Sequence, residues 1–128
     1  MSQAPIPQAV RAFIAQNLDS AELLETLLLV QSAPDRAWTP EEVARSIYTV
    51  PAAALRRLEQ LVSLRLARAD DQADPAYRYT PGTAALADQV AALAATYRTN
   101  RVDVIKLVHT LPPDPLRSFA DAFKLRKD

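Results

Sequence analysis

Two prolines eleven positions apart, Pro40 and Pro51 in "WTPEEVARSIYTVPAAALRRLEQLVSLR", constrain this chain more than any other feature. A proline fits the first position of a helix, where its missing N–H would have no partner, and breaks a helix interior. One continuous helix through both positions is therefore ruled out. Thr39 supplies an N-cap just before Pro40, and Glu42, three residues after the cap, completes a capping box. The first helix has to end at "TV", and a second starts at Pro51 and runs through "AAALRRLEQLVSLR". Val43 and Ile47 face inward on the first helix. On the second, Ala54, Leu55, Leu58, Leu61 and Val62 share the inner face. Ala52, Ala53, Arg56, Gln60 and Ser63 form the opposite face, with Arg57 at its flank. Two helices joined by a short turn, the second amphipathic and outwardly basic, make a helix-turn-helix.

The remainder of the chain carries similar punctuation. One glycine against ten prolines suits helices separated by proline stops better than a hairpin-rich β protein. Upstream, Val10, Phe13, Ile14 and Leu18 recur at helical spacing. Asp19-Ser20 offers an N-cap to a second helix with Glu22 in its first turn, where the helix dipole favours a carboxylate. That helix carries Leu23, Leu24, Leu27, Leu28 and Val30, and so belongs in the core. Downstream, Leu66 with Ala67, and Tyr77 with Tyr79, read as the two strands of a hairpin, and Trp38 is expected to add a third. Thr80 and Pro81 repeat the cap-then-proline order and are expected to open one long helix. Its stripe is Leu86, Val90, Leu93 and Tyr97, continued by Val104, Val108 and Leu111. "LPPDP" stops it, and Leu116, Phe119, Ala120 and Phe123 mark a final short helix. The expected fold is mainly α with a small β-hairpin wing, a single domain over residues 1–128. Within it, 1–8 is a flexible N-terminus, 20–81 the core of the motif, and 82–124 the long and terminal helices.

Several kinds of chemistry are missing from the composition. Lys plus Arg and Asp plus Glu number 15 each, so no global field draws the chain toward nucleic acid. The absence of cysteine removes disulfides and thiolate metal sites and fits a reducing compartment. His109 is the only histidine, no G-x-S-x-G turn accompanies it, and its place near a helix end suits a dipole contact. A single glycine rules out a glycine-rich phosphate loop. Glu41 and Glu42 are adjacent carboxylates that helix capping explains, and "DDQAD" lacks the glycine and terminal glutamate of an EF-hand loop. No catalytic residue, metal or cofactor is expected, and the chain does not read as an enzyme. "MSQAPIPQAVR" lacks the basic start and apolar run of a signal peptide, and "LLETLLLV" is too short to span a membrane. A cytoplasmic protein without membrane association is the expectation.

The order helix, strand, helix-turn-helix, hairpin, long helix, carried by "WTPEEVARSIYTVPAAALRRLEQLVSLRLARADDQADPAYRYTP", resembles the winged helix-turn-helix superfamily. Within it, the match is to small bacterial regulators of the MarR, PadR and ArsR kind, and this implies a transcriptional regulator that binds duplex DNA. In such proteins the second helix of the motif enters the major groove and the wing touches the backbone or minor groove. The positions implied for the groove are Ala52, Ala53, Arg56, Arg57 and Gln60, with Arg45, Ser46 and Arg78 at phosphates. Two departures stand out. The groove helix opens on three alanines, which can touch a thymine methyl but make no hydrogen bond to a base edge. The wing brings Asp70, Asp71 and Asp74 against Arg78. From Thr39 to Ala69 there are five arginines against three glutamates, a surplus of two. These departures fit an alternative, a protein–protein interaction module that does not bind DNA. There the Ala52–Ala53 surface packs on a partner and the acidic wing meets a basic patch. The long apolar stripe implies a homodimer, with Leu93, Tyr97, Val104, Val108, Phe119 and Phe123 at the interface.

Overall fold

In a computed structural model describing residues 6–110, the chain runs α1 (Gln8–Asn17), α2 (Ala21–Ser32), β1 (Ala37–Trp38), α3 (Pro40–Ile47), α4 (Pro51–Ser63), β2 (Ala67–Ala69), β3 (Tyr77–Tyr79), α5 (Ala84–Thr99) and α6 (Arg101–Thr110). Leu111, Leu116, Phe119 and Phe123 lie outside the described residues.

The capping grammar of the sequence is realised at atomic level. Ser20 caps α2 by accepting the Leu23 N–H at 3.1 Å. At α3 the Thr39 hydroxyl accepts from the Glu42 N–H at 3.1 Å while the Glu42 carboxylate accepts from the Thr39 N–H at 3.0 Å, a complete capping box. α2 runs through the core with Leu23, Leu24, Leu27 and Val30 fully buried, and Leu28, the fifth of the expected aliphatics, half-buried against it. α1 packs on α5 and buries Val10, Phe13 and Ile14, and Ile6, within the stretch expected to be flexible, is buried in the same cluster.

Both helices of the motif end in a residue with positive φ, Tyr48 at 61° and Arg65 at 64°, although neither is glycine. Each sits where the Schellman motif needs a left-handed residue. The Leu66 N–H reaches back to the Leu61 carbonyl at 2.9 Å, and the Thr49 N–H to the Ala44 carbonyl at 2.9 Å. The sheet has strand order β1-β3-β2, antiparallel throughout, so Trp38 does add a third strand. Trp38, Ala67 and Tyr77 are buried beneath it, while Arg68 and Arg78 stand directly opposite each other on its outer face.

Two expectations change. Thr80 and Pro81 do not open the long helix; Thr83 does, by accepting the Leu86 N–H at 3.0 Å. Residues 80–82 are instead tied back to the end of α4, the Thr80 N–H bonding the Leu66 carbonyl at 2.9 Å and the Gly82 N–H the Arg65 carbonyl at 2.8 Å. The approach is close enough that a Cβ at Gly82 would lie 3.2 Å from the Arg65 Cβ, which gives the single glycine of the chain a physical reason.

The long helix is also two helices, broken at the buried Asn100, whose backbone leaves helical values at φ −129° and ψ 44°. Asn favours helix ends over interiors because its side chain competes for backbone groups. The break turns α6 back against α1 and α2. Leu93, Val104 and Val108, expected at an interface between copies, are thereby buried in the chain's own core, and Tyr97 is left half-buried. None of the described helices is long and apolar enough to cross a membrane.

Candidate nucleic-acid interface

The outward side of α4 is set by what its inward side must satisfy. Ala54, Leu58 and Leu61 are fully buried. Flanking them is a polar seam that joins α4 to α2 and to the turn. The Arg57 Nε donates to Glu22 Oε1 at 2.9 Å, and Thr49 Oγ1 donates to Glu22 Oε2 at 2.8 Å. Arg57 also donates through Nη1 to Gln60 Oε1, and Gln60 Nε2 donates to Asp19 Oδ2 at 3.0 Å. The hydrogen bond from Arg57 holds the Glu22 carboxyl below the usual carboxylate range, against the opposing effect of its burial. Gln60, expected on the outer face, and Arg57, expected at its flank, are thus committed to partners within the chain.

Ala53, likewise expected outside, is 8% exposed. What α4 presents to solvent is Pro51, Ala52, Arg56, Glu59, Val62 and Ser63. Val62, expected inside, is among them. The helical wheel misplaces the outer face because α4 meets α2 and the residue before its cap along Arg57 and Gln60, whose partners lie 35 and 41 positions away in sequence.

The entry to α4 is bare. Val50 precedes Pro51 with no side chain capping the helix, and no acidic residue occupies the first turn, so no residue of α4 itself offsets the partial positive charge of that end. Tyr48 and Val50, in the turn, are 94% and 61% exposed. Sequence reasoning passes over both, although large apolar residues in a turn where polar ones are usual are a legible signal.

The exposed cations of the motif lie on several elements. Arg45 and Ser46 are exposed at the end of α3, although the Ser46 hydroxyl already donates to the Glu42 carbonyl at 3.0 Å. Arg56 lies on the open face of α4. On the wing, Arg78 donates to the Asp35 carbonyl at 3.0 Å and faces Arg68 across the strands. Among the described residues the ion pairs are Arg57–Glu22 at 2.9 Å and Arg36–Glu42 at 3.5 Å, so Arg45, Arg56, Arg68 and Arg78 are in none. The wing tip is anionic, as its sequence implies. The Asp70 carboxylate folds the tip by accepting from the Ala76 N–H at 3.1 Å. Between the tip and the starts of α3 and α4 lies a cleft of about 430 Å³, lined by Pro40, Glu41, Ala52, Leu55, Asp74 and Pro75 among others.

No protein-family model matches the sequence, and no curated protein is detectably similar to it. Among solved structures, the chain is similar to RV1404 from Mycobacterium tuberculosis, with a TM-score of 0.51 and 15% identity over 94% of this chain and 83% of that one. A variant of ZitR from Lactococcus lactis aligns with 100% of this chain and 80% of its own, at 12% identity and a TM-score of 0.44. A helix-turn-helix followed by a hairpin on a three-stranded antiparallel sheet, with helices before and after, is a winged helix-turn-helix fold, and the likeness to RV1404 bears on that fold alone.

Proposed function

We propose that this protein is a transcriptional regulator that binds duplex DNA by inserting the exposed side of α4 into the major groove. The observations that support this reading are that Pro51, Ala52 and Arg56 of α4 are exposed, and that Arg45, Arg56, Arg68 and Arg78 of the motif and its wing are in no ion pair among the described residues. Arg56 lies in the groove on this reading, and Arg45, Arg68 and Arg78 lie against phosphates. Arg57 and Gln60 hold the helix in place. Ala52 touches base edges, and Ala53 is spent on packing. A pair of chains sets two such helices on one duplex and doubles a charge surplus that is small in one copy. Of the interface residues expected on α5 and α6, Tyr97 is the one that keeps exposed surface for such pairing.

The test is fluorescence anisotropy with a labelled duplex at several salt concentrations. Native protein should bind with a steep salt dependence, since each neutralised phosphate releases counterions. Replacing Arg45 and Arg56 together by alanine should weaken binding and flatten the slope by about 0.9 for each phosphate that is no longer neutralised. Absence of binding by the native protein at low salt would overturn the proposal.

A second reading, a protein-interaction module, is favoured by the cleft beside the wing, where Glu41 and Asp74 put negative charge close to the same entry. On that reading a basic partner binds at the α4 entry and duplex DNA does not.

A further inference from the structure

We infer that the entry of α4 reads the 5-methyl groups of pyrimidines in the major groove, those of thymine and of 5-methylcytosine, through Val50, Pro51 and Ala52. The inference rests on the DNA-binding reading and names what that surface recognises.

Four large apolar residues stand exposed among the described residues: Tyr48, Val50, Val62 and Val102. Two of them, Tyr48 and Val50, lie within the turn that leads into α4. Pro51 and Ala52 continue the same surface and are exposed. The entry therefore presents an apolar point in a protein whose other apolar groups are mostly in the core. None of Val50, Pro51 and Ala52 carries a hydrogen-bonding side chain. Pro51 has no N–H to offer at the first helical position. Arg57 and Gln60, the polar side chains nearest on one flank, are bound to Glu22 and to Asp19. The first polar side chain on the open face is Arg56, more than a full turn into the helix.

An apolar surface can gain only against an apolar group. The major-groove edges of the four base pairs consist of donors and acceptors, with one exception, the C5 methyl of thymine. Methylated cytosine carries the same group at the same ring position. Over an unmethylated G·C pair, Val50, Pro51 and Ala52 would strip water from donors and acceptors and give nothing in return, a cost of the kind that unpaired polar groups incur. Discrimination at this end of the site thus comes from methyl burial together with rejection of uncompensated base edges.

The experiment begins with a random-sequence duplex pool, from which the tightest binders are selected with the full-length protein. The selected duplexes are remade with deoxyuridine at each thymine in turn, which deletes the methyl and keeps the Watson–Crick pair. Dissociation constants are then measured at fixed salt for the native protein and for Val50→Ala. At one or two positions uridine should weaken native binding about fourfold, the ratio expected for one buried methyl. The thymine-to-uridine ratio at those positions should fall toward one in Val50→Ala, with the salt slope unchanged because no charge is removed. Selected duplexes that bind equally with thymine and uridine overturn the inference and leave DNA binding standing. A uridine penalty that persists undiminished in both Val50→Ala and Ala52→Gly also overturns it, since the methyl is then met elsewhere. A pool in which nothing binds at low salt overturns both this inference and the proposed function.

Discussion

The two helices of the motif both open on a proline and yet have opposite entries. At α3 every available device is used: Thr39 and Glu42 exchange hydrogen bonds, Glu41 and Glu42 sit in the first turn, and Arg36 lies 3.5 Å from Glu42. At α4 there is a proline and nothing more, because Val50 has no cap to offer and the first turn has no acid. The two helices are accordingly secured in different places. α3 is fixed at its start. α4 is fixed along its side, by Leu58, Leu61 and the seam from Arg57 and Gln60 to Glu22 and Asp19, and at its end, by the turn through Arg65. A helix held from its flank can leave its entry unsatisfied, and an unsatisfied entry is what a partner can use.

The largest effect is expected at Arg57. If the seam holds α4, Arg57→Ala removes a charged hydrogen bond to Glu22 and the link to Gln60, and should lower unfolding stability by about 2 kcal/mol. Urea denaturation measures this directly. A loss smaller than that from removing the α3 cap would show that α4 is not held from its side.

Next in size are two changes at the entries themselves. Thr39→Ala removes the α3 cap and should cost about 1 kcal/mol. Val50→Asp does the converse at α4. Position 50 already has the extended backbone of a cap residue, φ −100° and ψ 153°, so an aspartate there should accept a first-turn N–H and stabilise the fold by about 0.5 kcal/mol. The same carboxylate would face phosphate and replace the apolar Val50 surface, so duplex affinity should fall while thermal stability rises. A variant that gains stability and retains full DNA affinity would show that the bare entry of α4 has no part in binding.

Much of this contrast was legible in the sequence. Capping is local chemistry, and Thr39, Pro40 and Glu42 specify it within four positions, so the helix-turn-helix and its first boundary could be read directly. The hairpin followed from Tyr77 and Tyr79 at period two. What failed depended on neighbours distant in sequence. Nothing near Arg57 or Gln60 shows that Glu22 and Asp19 will lie beside them, so a helical wheel turns Gln60 outward, leaves Arg57 at the flank of that face and gives Ala53 a place at the surface. The stripe from Leu86 to Val108 satisfies a single helix as well as it satisfies two, and only the fold-back at Asn100 reveals that Val104 and Val108 complete this chain's own core. The bare entry at Val50 was visible as sequence, but its exposure was not.

The smallest effect expected is the response to acid, and it tests the same contrast through its carboxylates. Glu22 lies below its ordinary value of 4.5, chiefly through the hydrogen bond from Arg57, and Glu42 lies below the same value, chiefly through the hydrogen bond from the Thr39 backbone. A carboxylate whose folded value is depressed binds its proton more readily in the unfolded chain. Its stabilisation is therefore complete above 4.5 and is lost as pH falls from there through the folded value. Native protein should lose stability along that limb. Arg57→Ala should lose less there, because Glu22 no longer has the partner that depressed it, and Thr39→Ala should leave the Glu22 part of the limb in place. No carboxylate caps the entry of α4 in the native protein. Val50→Asp should steepen the limb, because a capping aspartate is itself stabilised in its charged form. Urea midpoints for the four proteins across this range give the comparison, and native and Arg57→Ala curves that run parallel would mean that Glu22 is not the group through which acid loosens α4.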